Sequence, residues 1–358
     1  MKSTIYDVAE KAGVSISTVS KVLNNQPVGK KSKQKVLKVM QELNYKPSVV
    51  ASALTGKRTS TIGFLLPDIA NPIVAEMARR VEDRAHEYGF NVVVCSTDLK
   101  LEKEERYVSL LRQKRVDGFI LAGGFRNREI ALELVKDNIP VILLSESQPY
   151  SSLTTVTVDN FIGGYELASH LISLGHRRIA VIAEDNSSSQ ERIRGYKQAL
   201  KDNDLDIPEE LIVTSNSSPE HAQLLTTSLL DSFNPPTAIM SCNDVLAIGT
   251  LLGAREKSLK VPEDLSITGF DNTLLSKSCD PPLTTVEVPV QNMCSQAVDL
   301  LIEEIKGKRI EKQKILMLPK LIIRKSTSFC PVQSRNVTSI QNEQKKPTNL
   351  CSKEPSKY

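Results

Sequence analysis

Short apolar runs alternate with longer helical patterns from Thr61 onward, and this alternation constrains the fold more than any other feature of the chain. The apolar runs are nearly continuous, which is typical of parallel strands covered by helices on both faces. We predict strands at Ile62–Leu66, Asn91–Cys95, Gly118–Ala122, Val141–Leu144, Arg178–Ile182, Ala238–Ser241 and Ser266–Phe270. We predict helices at 72–88, 102–115, 161–174, 190–202, 220–232 and 243–256. This order predicts a parallel α/β architecture.

The sequence lacks the motifs that mark common α/β enzymes. No G-x-G-x-x-G follows the first predicted strand, and neither a P-loop nor a G-x-S-x-G occurs anywhere. The six cysteines include no C-x-x-C pair and the four histidines no H-E-x-x-H, which argues against a zinc site and a disulfide framework. We therefore expect a protein that is not an enzyme and that holds neither a metal nor a cofactor.

Basic residues concentrate at the beginning of the chain. Residues 1–61 contain eleven Lys or Arg against three acidic residues, a net charge of +8, whereas the whole chain has a net charge of +4. The remaining residues therefore sum to −4. A basic segment on a mildly acidic body is typical of a protein with a polyanionic partner. Charge alone also leaves open a solvated, lysine-rich helix over 30–38.

Short helical patterns separated by a glycine turn occupy this basic segment. Thr4 and Asp7 have the spacing of a capping pair that opens a first helix, and Gly13 supplies the turn that follows it. Ser15 is placed to cap a second helix and Ser32 a third. The pattern predicts either a helix-turn-helix, whose second helix enters the DNA major groove, or a generic three-helix bundle.

This segment resembles the lactose/galactose repressor (LacI/GalR) family of bacterial transcriptional regulators. The resemblance rests on Thr4-Ile5-Tyr6-Asp7-Val8-Ala9, Ala12-Gly13-Val14-Ser15, Thr18-Val19-Ser20 and Val22-Leu23-Asn24. It implies an N-terminal all-α helix-turn-helix domain of the lambda-repressor-like type over residues 1–46. It also implies that bases are contacted by Ile16, Ser17 and Lys21. Phosphate contacts are assigned by the same resemblance to Thr4, Tyr6, Ser15, Thr18 and Asn24.

The next segment matches the hinge of the same family, which the resemblance extends over residues 47–60. The matching residues are Tyr45-Lys46-Pro47-Ser48-Val49-Val50-Ala51-Ser52-Ala53-Leu54. A helix this short is marginally stable in isolation. In the family, the hinge helix orders on operator DNA and inserts a leucine into the minor groove. The resemblance assigns that leucine to Leu54, with Ala51 one turn earlier on the same face.

Over residues 61–330 the resemblance implies an α/β two-lobed, periplasmic-binding-protein-like effector domain that also dimerises. Its ligand lies between the lobes, beyond the carboxyl ends of the strands. The ligand contacts are assigned to Asn71, Ser145, Arg192, Asn243 and Asp271. Because the chain contains no Trp, a ring that stacks on a sugar has to come from Phe161 or Tyr196.

Three of these side chains carry the prediction of the ligand class. Arg192, Asn243 and Asp271 together offer the donors and acceptors that suit the vicinal hydroxyls of a sugar. Taken singly, each has another explanation, since Asn243 and Asp271 are common helix caps and Arg192 suits a surface salt bridge. Arg192 is also able to bind a carboxylate, which keeps sugar acids and sugar phosphates open beside neutral sugars.

Together these features predict a sequence-specific DNA-binding transcriptional regulator that represses genes of carbohydrate uptake or catabolism. We expect it to bind a palindromic operator as a homodimer, with an affinity set by a small sugar-like effector. Two alternatives stay open. One is a catabolite-control-like regulator whose corepressor is a phosphoprotein bound by basic residues near 79–84 and 100–115. The other is a sugar-binding protein without a DNA function.

The ends of the chain complete the prediction. Residues 331–358 are polar and contain no leucine heptad, which predicts a disordered tail and a dimer instead of a tetramer. No apolar run approaches the roughly 18 residues that span a bilayer, and the first residues lack the apolar core of a signal peptide. With cysteines that suit a reducing compartment, this predicts a cytoplasmic protein without a membrane partner.

Overall fold

The computed structural model describes residues 3–23, 26–45, 58–147, 152–308 and 311–331. Three predictions fall outside the described residues: the hinge helix with Ala51 and Leu54, the phosphate contact Asn24, and the tail beyond residue 331. The chain divides into two units. The first takes the chain up to Thr157 together with Val290–Leu316, and the second takes Val158–Pro289 together with the described residues from Met317 onward.

Three helices begin the first unit: α1 (Ile5–Ala12), α2 (Ile16–Leu23) and α3 (Lys30–Glu42). A reciprocal capping box opens α1, since the Asp7 N–H donates to Thr4 Oγ1 at 3.4 Å and the Thr4 N–H donates to the Asp7 carboxylate at 2.6 Å. Gly13 ends α1 with a left-handed φ of 62°. The three helices pack through fully buried Val8, Val19 and Val36. The predicted helix-turn-helix is confirmed.

The start of α3 differs from the prediction. The helix begins at Lys30 instead of Ser32, with Gly29 as N-cap and no side-chain capping bond. The Lys33 N–H already donates to the Gly29 carbonyl oxygen at 3.0 Å, so the helical ladder starts there. Because glycine has no side chain, water can reach the free N–H groups of the first turn and hydrogen-bond to them in place of a serine hydroxyl.

A parallel sheet forms the centre of the first unit. Its strands are β1 (Thr61–Leu66), β2 (Asn91–Ser96), β3 (Gly118–Ala122), β4 (Val141–Leu144), β5 (Thr154–Val158) and β11 (Lys314–Met317), in the order β11-β5-β4-β3-β1-β2. The pairs among β1 to β5 are all parallel. The helices of this unit after α3 are α4 (Pro72–Glu87), α5 (Leu101–Gln113), α6 (Arg128–Lys136) and α12 (Val290–Ile305).

The second unit repeats the plan around a smaller parallel sheet. Its strands are β6 (Ile179–Glu184), β7 (Ile212–Ser215), β8 (Ala238–Ser241) and β9 (Ser266–Thr268), in the order β7-β6-β8-β9. Strands β10 (Thr285–Glu287) and β12 (Lys320–Ile322) form an antiparallel pair beside it. The helices are α7 (Asn160–Ser173), α8 (Ser187–Asp202), α9 (Pro219–Leu230), α10 (Asp244–Glu256) and α11 (Leu274–Ser278).

The parallel α/β prediction is confirmed, with some elements missed or shifted. Strand β5 reads Thr-Thr-Val-Thr-Val, so a search for apolar runs overlooks it although the strand is buried along its length. Strand β7 is a short, partly exposed edge strand, and α6 was also missed. Helix α8 starts at Ser187, because Asn186 caps it through the Ser189 N–H at 2.8 Å. Within the described residues, no helix is long and apolar enough to cross a membrane.

Helices α7 and α8 approach each other at two glycines. A Cβ on Gly164 would lie 2.1 Å from the carbonyl oxygen of Arg192. A Cβ on Gly195 would lie 2.1 Å from the carbonyl oxygen of Phe161. Each glycine therefore faces the backbone of the other helix, and the two contacts fix the first turn of α7 against the middle of α8.

Candidate functional site

The exposed face of α2 carries the three residues predicted to contact bases. Ile16, Ser17 and Lys21 are all exposed, and 41% of the Ile16 surface is accessible. Val19 and Val22 lie on the opposite, buried face of the helix. The surface of α2 therefore presents one apolar group, one hydroxyl and one cation, which match a thymine methyl group and the acceptors of a guanine edge.

The predicted phosphate contacts that the structure describes lie in the first turns of α1 and α2. Thr4 caps α1, and Tyr6 is exposed in its first turn. At the start of α2, Ser15 Oγ accepts from the Thr18 N–H at 3.2 Å and lies 2.9 Å from Thr18 Oγ1. Helix N-termini present backbone N–H groups that favour phosphate, so these positions suit contacts with a DNA backbone.

The second unit gathers a buried polar cluster where the carboxyl ends of its strands meet the starts of its helices. We call it the Arg192 cluster, and it comprises Asn160, Arg192, Cys242, Asn243, Phe270 and Asp271. These residues come from four separate stretches of the chain. The carboxyl ends of parallel strands share one edge of the sheet, which is why the fold brings these stretches together.

The guanidinium of Arg192 is held on several sides. Its Nε donates to Asn160 Oδ1 at 2.8 Å and its Nη1 donates to the carbonyl oxygen of Cys242. The guanidinium carbon lies 3.5 Å from the ring centroid of Phe270. Only 8% of Arg192 is exposed, so the protein fixes this cation in place before any ligand arrives.

The third guanidinium nitrogen faces Asp271 across a gap. Arg192 Nη2 lies 3.7 Å from Asp271 Oδ1, which is too long for a hydrogen bond. Within the described residues no hydrogen bond ends on the Asp271 carboxylate, although only 8% of the residue is exposed. Buried acceptors are nearly always satisfied, so this carboxylate is the group to which a ligand would donate.

The charge state of Asp271 depends on its surroundings. Burial raises the pKa of the Asp271 carboxyl well above its usual range, Arg192 opposes this, and the carboxyl groups of Asp244 and Glu184 add to it. A strongly shifted acid inside a polar cluster is typical of a functional site.

Asp244 fixes the loop that carries Asp271. Its carboxylate accepts from the Thr273 N–H at 2.7 Å, from Thr273 Oγ1 at 2.8 Å and from Thr285 Oγ1 at 2.8 Å. The loop contains two left-handed residues, with φ of 108° at Asp271 and 56° at Asn272. The buried Asp244 therefore stabilises a backbone conformation that few residues adopt unaided.

Replacing Asp244 with Ala is expected to destabilise the protein by about 2–4 kcal/mol, because three buried donors lose their acceptor. The free energy of unfolding in urea measures the loss. A Thr285→Val variant, which removes one of these donors, is the control and is expected to cost about 1 kcal/mol. Equal losses in the two variants would contradict the role of Asp244 as the shared acceptor.

Asn243 and Asn71 are both helix caps. The Leu246 N–H donates to Asn243 Oδ1 at 2.8 Å at the start of α10. The Ile73 N–H donates to Asn71 Oδ1 at 3.2 Å at the start of α4, in the first unit. Ser145 follows β4 in the same unit and adopts a left-handed φ of 59°. Asn71 and Ser145 thus both follow strands of one parallel sheet, at its carboxyl edge.

The prediction that Tyr196 stacks on a ligand was wrong. Tyr196 is fully buried, and its hydroxyl donates to the carbonyl oxygen of Ile179 at 2.8 Å. Ile179 is the first residue of β6, so the Tyr196 hydroxyl lies at the amino end of this strand. The Arg192 cluster lies at the opposite, carboxyl end, although Tyr196 is only one helical turn beyond Arg192. Phe161 is half-buried and has the Arg194 guanidinium 4.8 Å from its ring centroid, so its role in stacking stays a prediction.

Sequence reasoning missed four residues of this region. They are Asn160, which accepts from Arg192, Phe270, on which the guanidinium lies, and the acids Asp244 and Glu184. Glu184 is the last residue of β6 and Asn160 lies two residues after β5, so a search for polar residues at and just after strand ends would have found both. Phe270 carried no such signal, because an apolar residue at the end of an apolar run is read as core.

Two family descriptions match the chain. Residues 4–48 match the bacterial regulatory proteins of the lacI family, and residues 168–327 match a periplasmic binding protein-like domain. The HTH-type transcriptional regulator DegA of Bacillus subtilis (strain 168) is 46% identical over 334 residues, which cover 92% of this chain and 99% of that protein.

Solved structures agree over nearly the whole chain. The lac repressor dimer bound to operator and the anti-inducer ONPF is 30% identical with a TM-score of 0.82, over 92% of this chain and 100% of that one. The complex of the transcriptional regulator CelR with cellobiose is 27% identical with a TM-score of 0.70, over 90% of this chain and 99% of that one. The chain belongs to the LacI family of bacterial regulatory proteins, which are DNA-binding transcriptional regulators and not enzymes.

Proposed function

We propose that this regulator is a repressor of carbohydrate genes that binds a palindromic operator as a homodimer and responds to a small, hydroxyl-rich effector. In this proposal residues 1–46 bind DNA, residues 47–60 form the hinge and linker, and residues 61–330 bind the effector and dimerise. The observation that carries the effector proposal is the buried Asp271 carboxylate, which faces Arg192 Nη2 at 3.7 Å without accepting a hydrogen bond.

A sugar hydroxyl has the chemistry to fill this gap. Its O–H donates to the Asp271 carboxylate, and its oxygen accepts from Arg192 Nη2. A second hydroxyl on the neighbouring carbon satisfies the other carboxylate oxygen. Because Nε and Nη1 of Arg192 already donate to protein oxygens, the cation does not have to reorganise when the ligand enters. The cellobiose complex of CelR supports a sugar as the ligand class.

The DNA proposal is supported by the exposed face of α2 and by the operator complex of the lac repressor dimer. A twofold symmetric dimer carries two identical DNA-binding domains, so it requires an operator with matching twofold symmetry. Selection from a random DNA library with the full chain tests this directly. We expect enrichment of a palindrome, and an enriched site without an inverted repeat would contradict the proposal.

Replacing Lys21 with Ala is expected to cost about 1–3 kcal/mol of affinity for the selected operator and to relax the base preference at one position of each half-site. Lys35→Ala is the matched control, since it removes the same charge from an exposed position on α3. Fluorescence anisotropy on operator and scrambled DNA measures both variants. If Lys21→Ala weakened binding equally on both DNAs, Lys21 would be a phosphate contact and not a base contact.

The phosphoprotein alternative rests on basic residues, several of which form ion pairs within the first unit. The arginines of α4 are paired with acids, Arg79 with Asp83, Arg80 with Glu76 and Arg84 with Asp299. On α5, Arg112 pairs with Asp137 and Lys103 with Asp98.

A further inference from the structure

We propose that Arg324 is a positioning residue of the effector site, because it holds the loop that carries Asp271 through the side chain of Asn272. Arg324 is half-buried and lies two residues after the end of β12. We call residues 271–273 the Asp271 loop. The inference rests on the proposed function and deepens it, since it names a residue that aims the ligand acceptor without contacting the ligand.

Arg324 joins two stretches of the second unit. Its Nη2 donates to Asn272 Oδ1, and its Nη1 donates to the carbonyl oxygen of Leu283 at 2.7 Å. Its backbone N–H donates to Thr284 Oγ1 at 3.0 Å. A guanidinium presents its donors in a rigid fork, so one side chain fixes two acceptors relative to each other. Arg324 therefore holds the Asp271 loop against the stretch that leads into β10.

The side chain of Asn272 transmits this restraint to the loop. Its Oδ1 accepts from Arg324, and its Nδ2 donates to Glu287 Oε1 at 2.9 Å. The backbone N–H of Asn272 donates to Thr285 Oγ1 at 3.4 Å. Both ends of the amide are thus bound, so the side chain cannot rotate without losing a hydrogen bond. It thereby stabilises the left-handed φ of 56° at Asn272.

The direction of the Asp271 carboxylate depends on the backbone of this loop. Asp271 has a left-handed φ of 108°, and its N–H donates to the carbonyl oxygen of Val286 at 2.8 Å. Within the described part of the chain, no hydrogen bond ends on the carboxylate itself. A side chain without its own hydrogen bond points where its backbone directs it, which makes the restraints on the loop important for the site.

Two restraints hold the loop at neighbouring residues. Asp244 binds the N–H and the hydroxyl of Thr273, at 2.7 and 2.8 Å, and Arg324 binds the side chain of Asn272. Without the second restraint, the strained backbone is free to relax and the Asp271 carboxylate can turn toward solvent. Arg324 thus acts on the effector through the position of Asp271.

The first measurement needs no effector. Because burial raises the pKa of Asp271, its charged form is unfavourable in the folded protein at pH 8, and Asp271→Asn removes that cost. The stability difference between an Asp271→Asn protein and its parent therefore reports how firmly the carboxylate is held in its buried position. Urea unfolding of the full chain at pH 8 gives this difference in the wild type, in Asn272→Gly and in Arg324→Gln.

We expect the difference to narrow by at least about half in both variants. Glycine adopts a left-handed φ without strain, so Asn272→Gly removes the side-chain link and changes no charge. Arg324→Gln removes a cation, which by itself would widen the difference, because it disfavours the Asp271 charge further. The charged groups that act on Asp271 are the same in every protein compared: Arg192 on α8, Asp244 on α10 and Glu184 on β6. An unchanged difference in Asn272→Gly would overturn the inference, even if Arg324→Gln failed to fold.

Arg178→Gln is the matched control. Arg178 also binds a carbonyl oxygen with its guanidinium, that of Asn234 at 2.6 Å, but it lies just before β6, at the opposite edge of the sheet. This variant is expected to lower the free energy of unfolding and to leave the Asp271→Asn difference as it is in the wild type. Narrowing of the same size in Arg178→Gln would show that any destabilisation has this effect, which would exclude a specific role of Arg324.

The second measurement is titration calorimetry with glucose, galactose, ribose and cellobiose. A sugar that binds the wild type is expected to bind at least about 10-fold more weakly to Asn272→Gly and to Arg324→Gln. The double variant should bind no more weakly than either single variant, since the two residues act in one chain of contacts. Wild-type affinity in Arg324→Gln would reject the positioning role. If no sugar bound the wild type while the stability difference narrowed as expected, the proposed function would fail, and Arg324 would still be the residue that holds Asp271.

Discussion

We expect that replacing Asp271 with Asn abolishes the proposed effector binding and leaves the free protein at least as stable as the wild type at neutral pH. The carboxylate is the proposed acceptor for two ligand hydroxyls, and an amide accepts with one of its two groups only. Burial has raised the pKa of Asp271, so its charged form is disfavoured in the folded protein. Removing a disfavoured charge does not cost stability.

The sign of the pH dependence follows from the same shift. The pKa of an aspartic acid is about 3.9 in the unfolded chain, and that of Asp271 is higher in the folded protein. Between these two pKa values the unfolded chain releases the proton and the folded protein keeps it, so the folded state loses stability as pH rises. The stability difference between Asp271→Asn and the wild type should therefore grow as pH is raised through that window. Effector affinity of the wild type should fall as pH is lowered through the raised pKa. Urea unfolding and calorimetry over pH 4–8 measure both.

Arg192→Ala is the contrasting variant at the same site. We expect it to abolish the proposed effector binding as well, but it also leaves Asp271, Asn160 and the Cys242 carbonyl oxygen without their buried partner. Each buried acceptor that loses its donor costs about 1–3 kcal/mol, so this variant is expected to be less stable than the wild type by about 2–5 kcal/mol. If the two variants had equal free energies of unfolding, this would contradict the view that Arg192 stabilises the folded protein and that the Asp271 charge does not.

Gly195→Ala is expected to destabilise the protein by about 1–3 kcal/mol, because the added methyl group has no space against α7. Its Cβ would lie 2.1 Å from the carbonyl oxygen of Phe161 and 2.7 Å from the Tyr165 nitrogen, and both atoms belong to the backbone. In an open helix the same change stabilises by roughly 1 kcal/mol, so the expected sign is reversed. Urea unfolding measures it.

The matched control for Gly195→Ala is Gln190→Ala, at an exposed position on the same helix. It should change the free energy of unfolding by no more than about 0.5 kcal/mol. The glycine variant should also weaken effector binding, since pushing α7 from α8 separates Asn160 from Arg192. A stable Gly195→Ala protein with normal effector affinity would show that the two helices adjust freely.

The elements that the sequence predicted well have local causes. The first helix and its turn depend only on residues that are close in sequence, namely the capping box of Thr4 and Asp7 and the left-handed Gly13. Apolar runs such as β3 and β4 are buried along their whole length, so alternation along the chain predicts the parallel sheet. Arg192 and Asp271 were assigned as ligand contacts by the resemblance to the family, and this assignment stays a prediction.

The missed features depend on contacts that are distant in sequence. Strand β5 is rich in threonine, and only its place in the sheet buries it. Tyr196 lies one turn from Arg192 on the same helix, and no local pattern tells that its hydroxyl reaches Ile179 in β6. Asn160 became part of the cluster because two glycine contacts press α7 against α8. Such outcomes follow from packing, which a single sequence does not display.

The discontinuous first unit has a consequence for synthesis on the ribosome. Helix α12 belongs to this unit and buries Met293, Val298 and Leu301, yet it is translated after the chain has passed through the whole of Val158–Pro289. Until the second unit has been synthesised, the apolar surface of the first unit that α12 covers in the folded protein therefore stays exposed. A polypeptide released before residue 290 would lack this helix for good, and proteolysis would be its expected fate.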